Sequence, residues 1–329
     1  MPAETIEYER LGRELLRALR GRRSQEALGR RMRFTSNVLY AWESGRRQPT
    51  ASVLFRMALS VGLDVAPGLQ AALFGVRLVT LSSKRLATRH GIADLLRELV
   101  REAPVAGIAR VVGVDRGTIT RWLSGQSEPR LPQLLRAIDA TTLRLLDVLE
   151  HFTDPAKLAS VRTRYRNLKA QRALAFDVPF SHAALRALEL SSYHSDDRDD
   201  AHFVAASTGI SPEHAVDVLR ALASAGQIRK RGGRYRIADV MTVDTRTDIP
   251  RDIALKRHWA QVATDRIDAQ RLRKGALASY NVFAASAEAY QQIHKLQLDY
   301  YDQVRRIVAS DTRADRVVLL NMHLFPLDA

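Results

Sequence analysis

Residues able to do chemistry fall in few places along this chain. The densest polar cluster is His194-Ser195-Asp196-Asp197-Arg198-Asp199-Asp200-Ala201-His202. Its imidazoles and carboxylates are ligand types for a divalent metal, but their spacing follows no established ligand pattern. An acidic loop ahead of a helix is accounted for by the favourable field at the helix N-terminus. His258, His294 and His323 stand alone. No phosphate-cradling glycine loop, nucleophile elbow or paired-carboxylate motif occurs, and Gly232-Gly233 reads as a hairpin turn. The expectation is a protein that is not an enzyme and carries no metal or cofactor. The remaining chemistry is recognition of a polyanion. Asp115 is followed by Arg116, Thr118, Thr120 and Arg121, which could reach DNA, and Arg is the usual reader of guanine. Further along, Lys230, Arg231, Arg234 and Arg236, with Arg229, form a basic ribbon suited to phosphate contacts.

The charge balance agrees. The 329 residues hold 51 Lys+Arg against 36 Asp+Glu, a net charge of +15, which favours polyanionic partners. Residues 1–150 hold 24 basic and 15 acidic side chains, so net +9 of the surplus lies there. With 46% apolar and 26% charged residues, the composition is that of a globular protein rather than a disordered one. Uncharged stretches such as 65–76 and 275–287 fall short of the roughly 18 residues that span a bilayer, so no membrane association is expected. Cysteine is absent, which excludes disulfides and thiol chemistry and makes a cytoplasmic location the default. The acidic N-terminus does not read as a signal peptide. Aromatic residues are only 6%, too few to suggest stacking on single-stranded RNA.

The elements that must position the basic residues show in an internal repeat. Shifted by 80 positions, the first 150 residues align with themselves without a gap. Leu15, Leu16 and Leu19 fall on Leu95, Leu96 and Leu99; Trp42 on Trp122; Gly45 on Gly125; Pro49 on Pro129; Leu54 on Leu134; Arg56 on Arg136. Helical periodicity alone would match Leu and Ala, not Trp, Gly and Pro in one register. Each copy reads as a five-helix bundle. In the first, Leu11, Leu15 and Leu19 stripe a helix from Tyr8 to Leu19 that Gly21 stops. Ser24 caps a helix over Gln25–Arg31, and Thr35 a second over Ser36–Ser44, ended by Gly45. Two short helices joined by a tight turn are a helix-turn-helix, whose second helix is presented to a major groove.

The first copy, with Gln25 opening the second helix and the string Trp42-Glu43-Ser44-Gly45-Arg46-Arg47-Gln48-Pro49, resembles the Xre/lambda-Cro class of DNA-binding domains over roughly residues 8–75. The resemblance implies that Ser36, Asn37 and Tyr40 face base edges, and that Gln25, Arg46 and Arg47 contact phosphates. An Asn amide can indeed pair bidentately with adenine, and a guanidinium suits phosphate oxygens. Arg33 departs from the glycine usual in that turn, so a local alteration there is expected. In the second copy Val105 and Leu123 stand in place of Gln25 and Glu43. It reads either as a second DNA reader for a different half-site or as a degenerate copy used for packing. Arg130, after Pro129, joins the phosphate set.

Beyond residue 150, Pro155 opens a helix expected to run to about Ala175, with Arg162, Arg164, Arg166, Lys169 and Arg172 around Tyr165. Helices are expected over Ala183–Leu190, Asp199–Ser207 and from Ser211-Pro212 to Ala225, followed by a β-hairpin about Gly232-Gly233. Three helices and a hairpin look like a winged helix. The last module is expected to be α+β. It would hold a helix over Ile253–Ile267, a strand at Ala278–Ala284, a Ser286-capped helix to Ala309 and a buried strand at Arg316–Phe325. Tyr290, Ile293, Tyr300, Val304 and Ile307 would line the long helix's core face. From about Ser191 onward, Ser192-Tyr193-His194, Ala225-Gly226-Gln227-Ile228 and the ending Asp315–Leu327 are similar to a group of uncharacterised bacterial proteins described as transcriptional regulators.

The sequence thus predicts a mainly α protein. Its expected domains are 1–80 and 81–150 (tandem helix-turn-helix bundles), 151–181 (linker helix), 182–245 (winged helix) and 246–329 (a small α+β domain for dimerisation or signal sensing). The expected function is a sequence-specific regulator of double-stranded DNA, acting as a homodimer. An effector or protein partner is expected at the C-terminal domain. The alternatives are an interaction protein of the antitoxin or adaptor kind, and a nucleic-acid binder without sequence preference.

Overall fold

The computed structural model describes residues 6–74, 81–101, 105–238, 248–268 and 274–327. The chain divides into two compact units, Met1–Lys169 and Ala170–Ala329. It is mainly helical, and the only sheet among the described residues is a two-stranded hairpin. The boundaries expected at residues 80 and 245 fall outside the described residues.

The first unit carries the repeat. Copy one holds α1 (Tyr8–Arg20), α2 (Gln25–Arg31), α3 (Val38–Glu43), α4 (Ala51–Ser60) and α5 (Ala66–Phe74). A short α6 (Ser83–Leu86) leads into copy two, which holds α7 (Arg89–Leu99), α8 (Val105–Val112), α9 (Arg116–Leu123), α10 (Leu131–Thr142) and α11 (Leu145–Glu150). The Leu stripe of α1 is fully inside, with Leu11, Leu15 and Leu16 at most 1% exposed. Leu39 and Trp42 in copy one and Ile119 and Trp122 in copy two are buried at equivalent places. Each such side chain contributes about 1.5–3 kcal/mol of apolar transfer, which fixes the angle between the paired short helices.

The turn between those helices is the same in both copies. Phe34 N–H donates to Gly29 O at 2.9 Å, and Val114 N–H, 80 residues on, donates to Ala109 O at 3.0 Å. The left-handed position in that turn is Gly113 (φ 78°) in copy two and Arg33 (φ 61°) in copy one. The alteration expected at Arg33 therefore does not occur; the chain keeps the turn and accepts a side chain at positive φ. The start of α3 does differ from expectation. Asn37, not Thr35, caps α3, its Oδ1 accepting from Tyr40 N–H at 3.2 Å. Asp115, the counterpart of Thr35, caps α9 as expected, at 2.8 Å from Thr118 N. The shorter Thr hydroxyl loses to the Asn amide two positions later, so α3 has six residues and α9 eight.

Pro155 opens only a 3-10 turn, Pro155–Lys157, capped by Asp154, and the long helix α12 starts at Arg162 and runs to Asp177. Its basic face is smaller than expected: Arg172 is buried, and Lys169 pairs with Glu150 at 3.1 Å.

The second unit packs α13 (Phe180–Leu188), α14 (Asp200–Thr208) and α15 (Pro212–Ser224) against one another, followed by β1 (Ile228–Arg231) and β2 (Arg234–Ile237). Ser211 caps α15 and Pro212 fills its first turn, where the missing N–H costs nothing. Gly232 and Gly233 both have positive φ, as a two-residue hairpin turn of the strand-matching type requires. Tyr193, Phe203, Leu185, Leu219 and Leu222 form the core.

The expected α+β tail is corrected. Helices α16 (Ile249–Thr264) and α17 (Ala287–Ser310, capped by Ser286) form, but 278–284 and 316–325 form neither strand nor helix. Tyr280 is 94% and Val318 80% exposed. An apolar run becomes a strand only when another edge supplies its hydrogen bonds. Here the ending is tied at points instead: Ser191 N–H to Ala314 O at 2.9 Å, Ser191 Oγ to Asp315 at 2.7 Å, and Asn321 Nδ2 to Trp259 O at 2.7 Å. The stripe expected as core on α17 is only partly covered, with Tyr290, Ile293 and Val304 half-buried and Tyr300 and Ile307 exposed.

Candidate nucleic-acid interface

The exposed polar side chains of the two capped helices make one candidate surface. Ser36, Asn37 and Tyr40 are exposed at the start of α3, as are Arg116, Thr120 and Arg121 on α9. Position by position the two faces differ: Ser36 corresponds to Arg116, Asn37 to Gly117, Tyr40 to Thr120 and Ala41 to Arg121. Arg46 lies over the Tyr40 ring at 5.1 Å, and Arg47 is exposed beside it.

Several expected contact residues turn out to be bound within the protein. Asn37 spends its amide oxygen on the cap, leaving its Nδ2 as the outward donor. Thr118 is only half-exposed. Its hydroxyl donates to Asp115 at 2.6 Å and accepts from Arg121 at 3.0 Å; it positions Arg121 rather than facing a ligand. These two hydrogen bonds from Thr118, side chain and backbone, hold the Asp115 carboxyl below the usual carboxylate range. Thr120 Oγ1 bonds back to Arg116 O at 3.1 Å.

Gln25 is similarly committed. Its Nε2 donates to Glu43 Oε2 at 2.8 Å, while Arg20 donates to both Glu43 oxygens at 2.6 and 3.1 Å. Arg17 also donates to the Glu43 carbonyl. Glu43 is 4% exposed, so the network locks α1, α2 and α3 together through a buried carboxylate. Its hydrogen bonds push the Arg20 guanidinium up from its ordinary range. In copy two the counterparts of Arg20, Gln25 and Glu43 are Val100, Val105 and Leu123. The whole polar triad has been exchanged for apolar residues at once, which avoids leaving any member buried without its partners. The sequence shows the exchange at Gln25 and Glu43; that Arg20 belongs with them is visible only from the packing.

Arg130 stays exposed, with Nη1 donating to Gln48 O at 3.2 Å across the two copies. The copies meet there with local two-fold symmetry. Ala51 N–H donates to Pro129 O at 2.9 Å, and Leu131 N–H donates to Pro49 O at 2.9 Å, each bond the other's image under the 80-residue shift. Thr50 and Arg130, themselves equivalent, pair antiparallel at the centre.

On the hairpin, Arg229, Lys230, Arg231 and Arg236 are exposed. Arg234 is not available as a phosphate contact. Its guanidinium faces inward, donating to Arg198 O, Asp196 O and Tyr193 O at 2.6–2.7 Å and to Asp200 at 3.2 Å, and lies over the Tyr193 ring. Four convergent acceptors and a ring face offered by the 193–200 loop outweigh solvent for this one residue of the ribbon. Tyr193, fully buried, donates to Asp200 at 2.7 Å, and burial and that carboxylate push its hydroxyl pKa up. Arg236 donates to His194 Nε2 at 2.5 Å, since a guanidinium has only donors; burial and the neighbouring guanidinium groups push the His194 pKa down. Three of the four aspartates of the acidic cluster are thereby occupied: Asp196 with Arg198, Asp199 with His202 and Asp200 with Arg234.

No helix among the described residues is long and apolar enough to cross a membrane. No curated protein and no solved structure matches the chain. The family described as a domain of unknown function, DUF4423, matches residues 162–327, from the start of α12 to the tied C-terminal ending and not the N-terminal repeat. With half of its length matched, the chain belongs to the DUF4423 family.

Proposed function

We propose that this protein is a sequence-specific regulator that binds double-stranded DNA, with α3 and α9 laid in the major groove. Each copy is read as a helix-turn-helix of the Xre kind, and α13–α15 with the hairpin as a winged helix. One observation carries the reading. The same pair of short helices, with the same left-handed turn, is built twice, and both times the outer face of the second helix is polar and exposed. A packing module has no need to keep Tyr40, Arg116 and Arg121 in solvent. Arg46, Arg47, Arg130 and the hairpin's Lys230, Arg231 and Arg236 would supply the salt-dependent backbone contacts. Asn37 and Tyr40 on one helix, and Arg116 and Arg121 on the other, would supply base contacts.

The test is selection of duplexes from a random library by the full chain, followed by titration of the recovered site at several salt concentrations. The expected result is an enriched motif whose affinity falls steeply with salt. Equal binding to every duplex, or none, would end this proposal.

A further inference from the structure

The two copies are joined as the subunits of a symmetric dimer are joined. At an isologous interface residue i of one subunit meets j of the other, and j meets i. The first unit fulfils this within one chain. Beyond the reciprocal hydrogen bonds at Pro49–Ala51 and Pro129–Leu131, α1 packs on α10 and α7, the counterpart of α1, packs on α4, the counterpart of α10. The self-equivalent pair α4 and α10 pack on each other. The seam is solid: Ala51, Leu54, Leu131, Leu134 and Leu135 are at most 1% exposed. A two-fold rotation leaves height along its axis unchanged, so a two-fold relating the copies sets α3 and α9 at the same height along it, with the parts of their directions that lie across the axis reversed. Two-fold readers of DNA use such a pair to engage two inverted half-sites. Yet the two faces share no exposed reading residue.

Resting on the DNA-binding reading above, we infer that one chain alone occupies one duplex site, and that the site is an inverted pair of unlike halves rather than a palindrome. The second copy takes the place of the partner subunit expected from the sequence. Because the seam is rigid, the spacing between the halves is fixed.

The test uses the full chain and the variants Tyr40→Ala and Arg116→Ala, whose exposed side chains leave the fold intact by circular dichroism. Each is put through the random-duplex selection, and the mass of the complex on the recovered site is measured. The expected result is one chain per duplex and a motif of two different halves. Tyr40→Ala then loses about tenfold in base preference in one half only, and Arg116→Ala a similar amount in the other only. A palindromic motif, two chains per duplex, or a variant that flattens both halves equally overturns the inference and leaves the DNA-binding reading standing. A selection with no motif overturns both.

Discussion

The exchange of Arg20, Gln25 and Glu43 for Val, Val and Leu between the two copies makes a sharp stability prediction. Glu43→Leu removes an almost fully buried carboxylate that accepts two hydrogen bonds from Arg20 and one from Gln25. Breaking a buried charged pair costs about 3–5 kcal/mol when the survivor stays buried and unpaired. The Arg20 side chain is 22% exposed, so it can swing partly into water, and the new Leu returns some apolar burial. A net loss of about 2 kcal/mol follows, to which the unpaired Gln25 amide contributes roughly 1. The triple variant Arg20→Val, Gln25→Val, Glu43→Leu copies what copy two already contains. It strands no polar group, so it should lie within about 1 kcal/mol of the natural chain. The non-additivity would be measured by urea unfolding of the full-length variants, followed by Trp fluorescence, with Trp42 beside the altered residue. If Glu43→Leu costs less than the triple variant, the network is not the cooperative bracket described.

Four other perturbations follow from particular residues. Arg33→Gly removes a side chain from positive φ and should raise stability by about 0.5–1 kcal/mol, part of the relief being offset by the looser unfolded chain; a lower melting temperature would contradict it. Arg234→Ala should cost about 3 kcal/mol by leaving Asp200 without its cation and three carbonyls without their donor and leave the salt slope of DNA binding unchanged. Lys230→Gln should do the reverse, lowering that slope by about 1 with no change in melting. Asp196 should titrate at about 2, held down mainly by its hydrogen bonds to Arg198. Since this folded value lies below the unfolded one of about 3.9, its contribution is present above that pH and fades as pH falls towards 2. Carboxyl NMR titration of the natural chain, and loss of this component in Asp196→Asn, would check it.

The sequence by itself determined most of the helices and their duplication, though not the start of α3 or of α12. Periodic Leu residues, the caps Ser24, Asp115, Ser211 and Ser286, and the glycines at 45 and 125 act within a few residues of themselves. Local chemistry therefore settles where those helices begin and turn. The hairpin was equally legible, since Gly232-Gly233 favours its turn without help from distant chain. Only tertiary structure decided what lies far apart in sequence. It brought Arg20 to Glu43, folded Arg234 back onto the 193–200 loop, and left 278–284 and 316–325 without a strand partner despite strand composition. It also joined Pro49–Ala51 to Pro129–Leu131, turning a linear repeat into a two-fold pair. A pattern of residue types carries propensity and periodicity, but long-range pairing depends on which acceptors and apolar faces meet in space, and neither has a local signature.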